Sequence, residues 1–248
     1  LIAKQNNSVL LWDVGIAPGL SNMLVKISEE EIGSLDKVHI KVGGNPSNPD
    51  SEWSYMAPFS PSDVIEEYTR PARIIESGEI ITVPALSERH LIDVEYHGEM
   101  EAFLTDGLRS ILTSISANEI KEYTVRWPGH IDKWINEGKD MDEFELLEQW
   151  KFDNKKSEFT WLEVMTSNSD EKIRWMVYDN GKDGDSSMAR TTGLVTAACT
   201  IMFLNNGPKG GCGLENGIHP PENLSKDSIK FIIDYLKDNR VEINKSTL

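Results

Sequence analysis

Residues 12–22 read "WDVGIAPGLSN". Gly15, Gly19 and Pro18 crowd a short segment between an apolar run, "LLWDV", and a helix-like run, "LSNMLVKISEEEI". Such a turn is stiff and nearly free of side chains: glycine opens backbone angles closed to other residues, and proline fixes one of them. It reads as a joint between a buried strand and the first helix of the unit that follows. The residues before it, "LIAKQNN", read as the end of a helix.

Outward from that joint the periods alternate. Leu20, Leu24 and Ile27 recur at helical spacing, with Glu29, Glu30 and Glu31 on the polar side. "KVHIKVGG" alternates Val38, Ile40 and Val42, a strand ending on two glycines. "NPSNPDSEWSYMAPFSP" reads as a long loop rich in proline and aromatics, a kind that is usually functional or disordered. "SPSDVIEEY" opens a helix with Ser60 and Pro61. Hairpins are expected about Ser77-Gly78 and His97-Gly98, and a third joins "FTWLEVMTS" to "KIRWMVYDN". "GLRSILTSI" is a short helix, "KEYTVRW" a strand, and "PGHIDKWINEG" a helix starting at Pro128. "MARTTGLVTAACTIMFLNNG" is expected as a helix apolar nearly all round, and "KDSIKFIIDYLKDN" as an amphipathic one. The fold class is α+β: a mixed, largely antiparallel sheet with helices on one face.

The chain of 248 residues is long enough for a sizeable core, and its net charge is −16. That surface repels phosphate backbones and anionic lipid, so neither nucleic acid nor membrane is an expected partner. The two cysteines, Cys199 and Cys212, have no metal-type spacing, and the five histidines are scattered; no metal site is expected. Cysteine usage suits a reducing cytoplasm, and no signal peptide is visible. The run "TGLVTAACTIMFL" is short and threonine-rich for a bilayer span. "GGCGLENG" at 210–217 imitates a dinucleotide-binding turn, but Asn216 stands where a glycine is needed, and the segment follows a helix.

Three segments join arginine to tight-turn residues: "EEYTRPAR" at 66–73, "LTDGLRS" at 104–110 and "TVRWPGH" at 124–130. Arg126 closes a strand, a rigid base from which a guanidinium can grip a carboxylate with two parallel bonds. Arg109 and Arg70 are further carboxylate-clamp candidates, each of which could equally tie a surface turn to an acid. Asp106 and His130 are candidates for accepting a proton, with Asp13 third. The bland alternatives are a helix cap for Asp106 and a surface ring for His130.

"WDVGIAPGLSN", "VGGNP", "FSPSDVIEEYTRPARIIESGE", "FLTDGLRSI", "TVRWPGHID" and "SMARTTG", in that order, resemble the saccharopine dehydrogenase family, closest to its lysine 6-dehydrogenase-like branch. The resemblance runs from about residue 3 to "IHPPENL" at 218–224. It implies an NAD(P)-dependent oxidoreductase of amino-acid C–N bonds, with an N-terminal Rossmann domain and an α+β domain like the C-terminal domain of glyceraldehyde-3-phosphate dehydrogenase. It implies a small amino-acid substrate and a homodimer or higher homo-oligomer. It sets residues 1–15 at the end of the Rossmann domain, 16–187 as the substrate-binding and dimerisation domain, and 188–248 as helices packing back toward the Rossmann side. The glycine-rich phosphate turn would then lie upstream of residue 1, in roughly a hundred residues, one ordinary domain. Asp13, Gly15, Pro18 and Gly19 would stand at the boundary between NAD or NADP and substrate. Val14, where many relatives carry Cys, and Asn45, where many carry Leu, depart from the pattern. The alternatives are a non-catalytic dimerisation and substrate-docking domain, and a Schiff-base reductase of the carboxynorspermidine dehydrogenase type.

Overall fold

The computed structural model describes residues 2–182, 184–206 and 213–248. In chain order the elements are α1 (Ile2–Gln5), β1 (Val9–Leu11), α2 (Leu20–Ile32), β2 (Lys37–Pro46), α3 (Pro61–Thr69), β3 (Ala72–Glu76), β4 (Glu79–Val83), β5 (His90–Val94), β6 (Gly98–Leu104) and α4 (Ile111–Ser114). They continue as β7 (Glu119–Arg126), α5 (His130–Asn136), α6 (Glu143–Gln149), β8 (Glu158–Ser167), β9 (Lys172–Asp179), α7 (Ser187–Asn206), β10 (Gly217–His219), α8 (Lys226–Asp238) and β11 (Glu242–Thr247).

One large sheet runs in the order β11-β9-β8-β2-β7-β3-β4. Among the described residues only β2 and β7 pair in parallel in it, so the sheet is mixed and mostly antiparallel. The far edge of β7 is shared. Its first residues pair with β3, through Ile75 opposite Ile120, and its last four pair with β6, through Phe103 opposite Thr124. Residues 105–118 leave the sheet between those two contacts, which places that segment over the middle of β7. β1 pairs in parallel with β10 in a separate two-stranded sheet.

The alternation of each strand decides what its faces meet. Val38, Ile40, Leu162, Val164 and Trp175 pack against Leu20, Leu24 and Ile27 of α2, Val195 and Met202 of α7, and Ile232 and Leu236 of α8. The opposite face gathers Tyr123, Val125, Phe159, Trp161 and Met176. A third cluster joins Trp53 and Tyr55 to Tyr68 on α3, Trp134 on α5, and Leu146 and Trp150 around α6. The expected long loop is therefore fastened by its aromatics: Trp53, Tyr55 and Ala57 are all buried. Each such side chain contributes on the order of 1.5–3 kcal/mol of burial, set against the cost of ordering the segment.

Several expectations shift. α5 begins at His130 rather than Pro128, because Gly129 holds a left-handed φ of 88° and carries the turn. Arg109 lies ahead of α4 with a φ of 52°, not in a helical turn. α7 has a buried stripe, Val195, Ala198, Cys199 and Met202, while Ala189, Thr192, Gly193, Thr196, Thr200 and Leu204 are exposed and uncharged. Its 19-residue stretch Ser187–Asn205 has the length and composition of a membrane-crossing helix, more than the sequence run suggests, although that stripe is packed in the core. The tail after α8 adds β11 along β9, a strand whose single buried apolar residue, Ile243, left almost no period to detect. Residues 210–212 of the imitation dinucleotide turn, Cys212 included, lie outside the described residues.

Candidate functional site

The joint between β1 and α2 forms one wall of a cavity of about 490 Å³. Gly15 N–H donates to the Pro18 carbonyl at 3.1 Å, and Leu20 N–H donates to the Gly15 carbonyl at 2.9 Å. Gly19 has a φ of 135°, and a Cβ there would sit 2.1 Å from the Gly15 oxygen, so no other residue fits. The Asn22 side chain fixes the joint: its Oδ1 accepts from Gly19 N–H, and its Nδ2 donates to Ser110 and to Glu222. The wall facing the cavity thus consists of residues Asp13 to Pro18.

The opposite wall is the end of β2 and β7. Their ladder stops at Val42 opposite Thr124. Beyond it, Asn45 Nδ2 donates to the Val125 carbonyl at 3.1 Å, replacing the missing backbone bond. Asn45 Oδ1 is buried and has no hydrogen-bond partner among the described residues. Gly43 and Gly44 line the gap, and a Cβ on Gly44 would meet Met188 Cε at 2.8 Å. Phe59, Met188 and Thr192 complete an otherwise apolar lining.

Into this lining β7 sends Thr124 and Arg126, and α3 sends Glu67. Arg126 is 2% exposed. Its Nε donates to Tyr68 Oη at 2.8 Å, Nη1 to the Val125 carbonyl at 3.0 Å and Nη2 to Glu67 at 3.4 Å. The guanidinium stacks over the Tyr55 ring at 4.6 Å. A guanidinium has five N–H groups, so two remain for a ligand. Burial raises the Glu67 pKa above the usual carboxylate range, against the opposing charges of Arg126 and Arg70.

His130 is buried behind Arg126 and does not line the cavity. Burial and the Arg126 charge push its pKa down to about 3, so the ring is neutral. With Nδ1 donating to the Trp53 carbonyl at 2.9 Å, Nε2 accepts from Tyr68 Oη at 3.0 Å. Tyr68 therefore receives from Arg126 and donates to His130, a chain that fixes the plane of the guanidinium. The ring is neither on the surface nor free to take a proton.

Asp106 caps no helix. It accepts from Arg73 Nε and Nη2, both at 2.9 Å, and from the Arg73 backbone at 3.1 Å, with Arg70 Nε at 3.5 Å. Burial would raise its pKa, but the Arg73 bonds and charge outweigh that and hold the carboxyl below the usual range. Arg109 Nε donates to Asp13 at 3.0 Å, and both residues have left-handed φ, 52° and 54°. The structure thus brings Arg126, Asp13, Gly15 and Pro18 together at the cavity, with Gly19 closing the turn behind them. Arg70, Arg109, Asp106 and His130 stand outside its lining. Sequence reasoning passed over Glu67, Tyr68 and Thr124. The first two lay inside the quoted "EEYTRPAR", and Thr124 shares a strand face with Arg126 by its two-residue spacing.

A scan against protein-family models matches the saccharopine dehydrogenase C-terminal domain over residues 15–241. Among solved structures the chain is similar to an apo, histidine-tagged saccharopine dehydrogenase (L-Glu forming) from Saccharomyces cerevisiae. The sequences are 15% identical, the TM-score is 0.79, and the match covers 99% of this chain and 75% of that one. That likeness carries the fold, and the family match carries membership. With the joint, the strand-end arginine and the sheet all falling inside the matched residues, the chain belongs to the saccharopine dehydrogenase C-terminal domain family.

Proposed function

We propose that this domain forms the substrate site of an NAD(P)-dependent dehydrogenase that oxidises the CH–NH bond of an amino acid, with lysine favoured over saccharopine. The observation that carries the reading is the Arg126–Glu67 pair, 3.4 Å apart, set in the wall of an otherwise apolar cavity. A cation with two unused N–H groups beside a carboxylate suits the carboxylate and ammonium of an amino acid, and the apolar lining suits its aliphatic stem. Arg126 is the only cation lining the cavity among the described residues, against Glu67 and Asp13. That balance favours a substrate with more amines than carboxylates, which describes lysine and not saccharopine with its three carboxylates. A carboxylated polyamine fits the same balance and is the second reading.

The nicotinamide, when bound, supplies the acceptor for a hydride from the amine-bearing carbon. The wall at Asp13, Gly15 and Pro18, with Gly19 closing the turn behind it and Gly43 and Gly44 also in the lining, presents little side-chain bulk at its glycines and suits a flat ring. Arg126 holds the substrate carboxylate. Glu67 takes a proton from the ammonium, whose N–H bond breaks as an O–H bond forms on the carboxylate, leaving a neutral amine whose lone pair can assist loss of hydride from the carbon that bears it. Asp106 is already committed to Arg73, and His130 has both ring nitrogens engaged. The exposed uncharged face of α7 suits cover by a neighbouring domain, and we place the protein in the cytoplasm as a homodimer.

The test is a steady-state assay of the full-length protein with L-lysine, saccharopine and each nicotinamide cofactor. Reduced cofactor should form with L-lysine at a kcat/KM at least tenfold above that with saccharopine. The reverse preference would overturn the lysine reading, and absence of turnover with every amino acid would leave the docking-domain alternative.

A further inference from the structure

Gly138 lies in the turn between α5 and α6, buried and outside the lining of the cavity. A Cβ there would meet Trp53 Cη2 and Trp134 Cε3, each at 2.8 Å. Its φ is not left-handed, so the position calls for glycine on grounds of space alone. That space seats the buried Trp53. The indole Nε1 donates to Gln149 at 2.6 Å, the ring stands edge-on to Trp150 with centroids 5.4 Å apart, and Lys133 Nζ lies over it at 4.7 Å. A ring held on these sides fixes the peptide that carries it.

From that peptide a chain of hydrogen bonds runs to Arg126, and its two ends set its direction. The Trp53 carbonyl can only accept, so the His130 hydrogen sits on Nδ1, 2.9 Å away. The guanidinium can only donate, so Tyr68 Oη accepts from Arg126 Nε at 2.8 Å. Between them, Tyr68 spends its single proton on the lone pair of His130 Nε2 at 3.0 Å. The opposite tautomer would set the lone pairs of Nδ1 and the carbonyl against each other. It would also leave the Tyr68 proton with no acceptor among the described residues. A protonated ring would aim a second cationic N–H at the hydroxyl that Arg126 already uses, and burial and the Arg126 charge hold the ring neutral. The segment of Trp53 also meets the guanidinium directly, through the Tyr55 ring at 4.6 Å.

A core that needed only volume would be filled more cheaply by phenylalanine at positions 68 and 130, since buried polar groups cost folding energy unless paired. Here each is paired, and in one direction, which orients the group at the end of the chain. Resting on the reading of Arg126 as the carboxylate clamp, we propose that His130 is a positioning residue whose tautomer carries the seat of Trp53 to the plane of the guanidinium, with Gly138 as the remote position that makes the seat. Nε tied to Tyr68 and Nη1 tied to the Val125 carbonyl keep that plane from turning. A bidentate grip on a carboxylate depends on the plane, so losing it weakens the hold on the amino acid and leaves the hydride step largely as it was. His130 lines no part of the cavity and acts only through Tyr68.

Nitrogen NMR of the full-length protein labelled at histidine, without substrate or cofactor, tests the chain apart from the enzyme assignment. The His130 signals, identified by their loss in His130→Phe, should report a hydrogen on Nδ1 and a bare Nε2 from about pH 6 to 8. A hydrogen on Nε2, or a ring that titrates in that range, overturns the proposal. In the enzyme at saturating cofactor, His130→Phe should raise KM for the amino acid about fivefold and keep kcat within about twofold. His130→Gln, whose amide offers both a donor and an acceptor, should recover part of that loss. Gly138→Ala should raise KM about threefold or more. In a Tyr68→Phe background neither His130→Phe nor Gly138→Ala should add more than about twofold, because all three act through one hydroxyl. An unchanged KM in His130→Phe, or effects that multiply in the double variants, would make the ring merely structural and overturn the proposal. Arg126→Ala separates this inference from the reading beneath it. If it raises KM and His130→Phe does not, the clamp stands without this chain; if it leaves KM unchanged, the clamp fails and the inference with it.

Discussion

Two groups of acids and arginines in this domain are built differently. On the outer turn, Asp106 is gripped by Arg73 through both carboxylate oxygens, and Arg109 reaches from that turn to hold Asp13 at the rim of the cavity. Those arginines are each 47% exposed, so water already satisfies what the acids do not. On the cavity wall, Arg126 is almost fully buried, meets its acid at the long distance of 3.4 Å and keeps two N–H groups unspent among the described residues. Paired, exposed charges are the ordinary fastening of a turn and contribute little. Buried charges left incompletely paired are costly, and a ligand's complementary charge relieves that cost. The contrast separates the arginines that hold the fold from the one that holds a substrate.

The largest effect expected from breaking the contrast is on Glu122, a buried acid of β7. Its carboxyl ionises near 4.5 in the unfolded chain and near 8 in the folded one. Between those values the folded state binds more protons, so stability falls as pH rises through the window and levels off above it. Glu122→Gln should match the wild type below pH 4 and exceed it by on the order of a few kcal/mol at pH 9, by denaturant melts. Equal stabilities at both pH values would show that the carboxyl is not held neutral.

Next comes Arg126→Ala. A charge-assisted bidentate contact contributes about 1.5–3 kcal/mol, so kcat/KM in the full-length enzyme should drop roughly ten- to 150-fold. Cofactor Kd should hardly move, and Arg126→Lys should recover only part of the loss, because a point charge lacks the fork. A variant that loses thermal stability but keeps its substrate KM would move Arg126 into the first, structural group.

Tyr68→Phe removes the acceptor of Arg126 Nε and the donor to His130 together. About 1 kcal/mol of positioning should be lost, seen as a roughly fivefold rise in substrate KM with kcat nearly kept. The smallest effects belong to the outer turn. Asp106→Asn should cost about 1 kcal/mol or less near neutrality, since its main partner is half exposed. Its carboxyl titrates below the ordinary 3.8, so that contribution is present at neutral pH and fades as pH falls through its folded value. Neither it nor Arg109→Ala should lower kcat/KM tenfold, and a loss of that size would erase the contrast.

Much of this architecture was legible in the chain. α2 falls on "LSNMLVKISEEEI" as its spacing predicts, and the hairpins turn at Ser77-Gly78 and beside His97-Gly98, where glycine permits the angles. The strand that ends on Arg126 was legible too. What the pattern concealed were contacts between distant segments. Nothing local in "SEWSYMAP" says that Trp53 and Tyr55 will pack on Tyr68 and Trp150, or that the Trp53 carbonyl will fix the His130 tautomer. The raised pKa of Glu122 could not be read from the chain, because it depends first on burial, under a glycine 15 positions earlier, and then on the charges of Glu67 and Asp106. Arginine and acid types mark where charge is plentiful; only burial and pairing show which charge is left over.

The most direct test of that last distinction is a pair of ligands differing by one carboxylate. L-lysine and cadaverine share the diamine chain, and cadaverine lacks only the group assigned to Arg126. Calorimetric titration into the full-length protein with cofactor bound should show lysine binding at least tenfold more tightly, and Arg126→Ala should abolish the difference. If the wild type binds the two alike, or the variant still discriminates as the wild type does, Arg126 is not the carboxylate clamp.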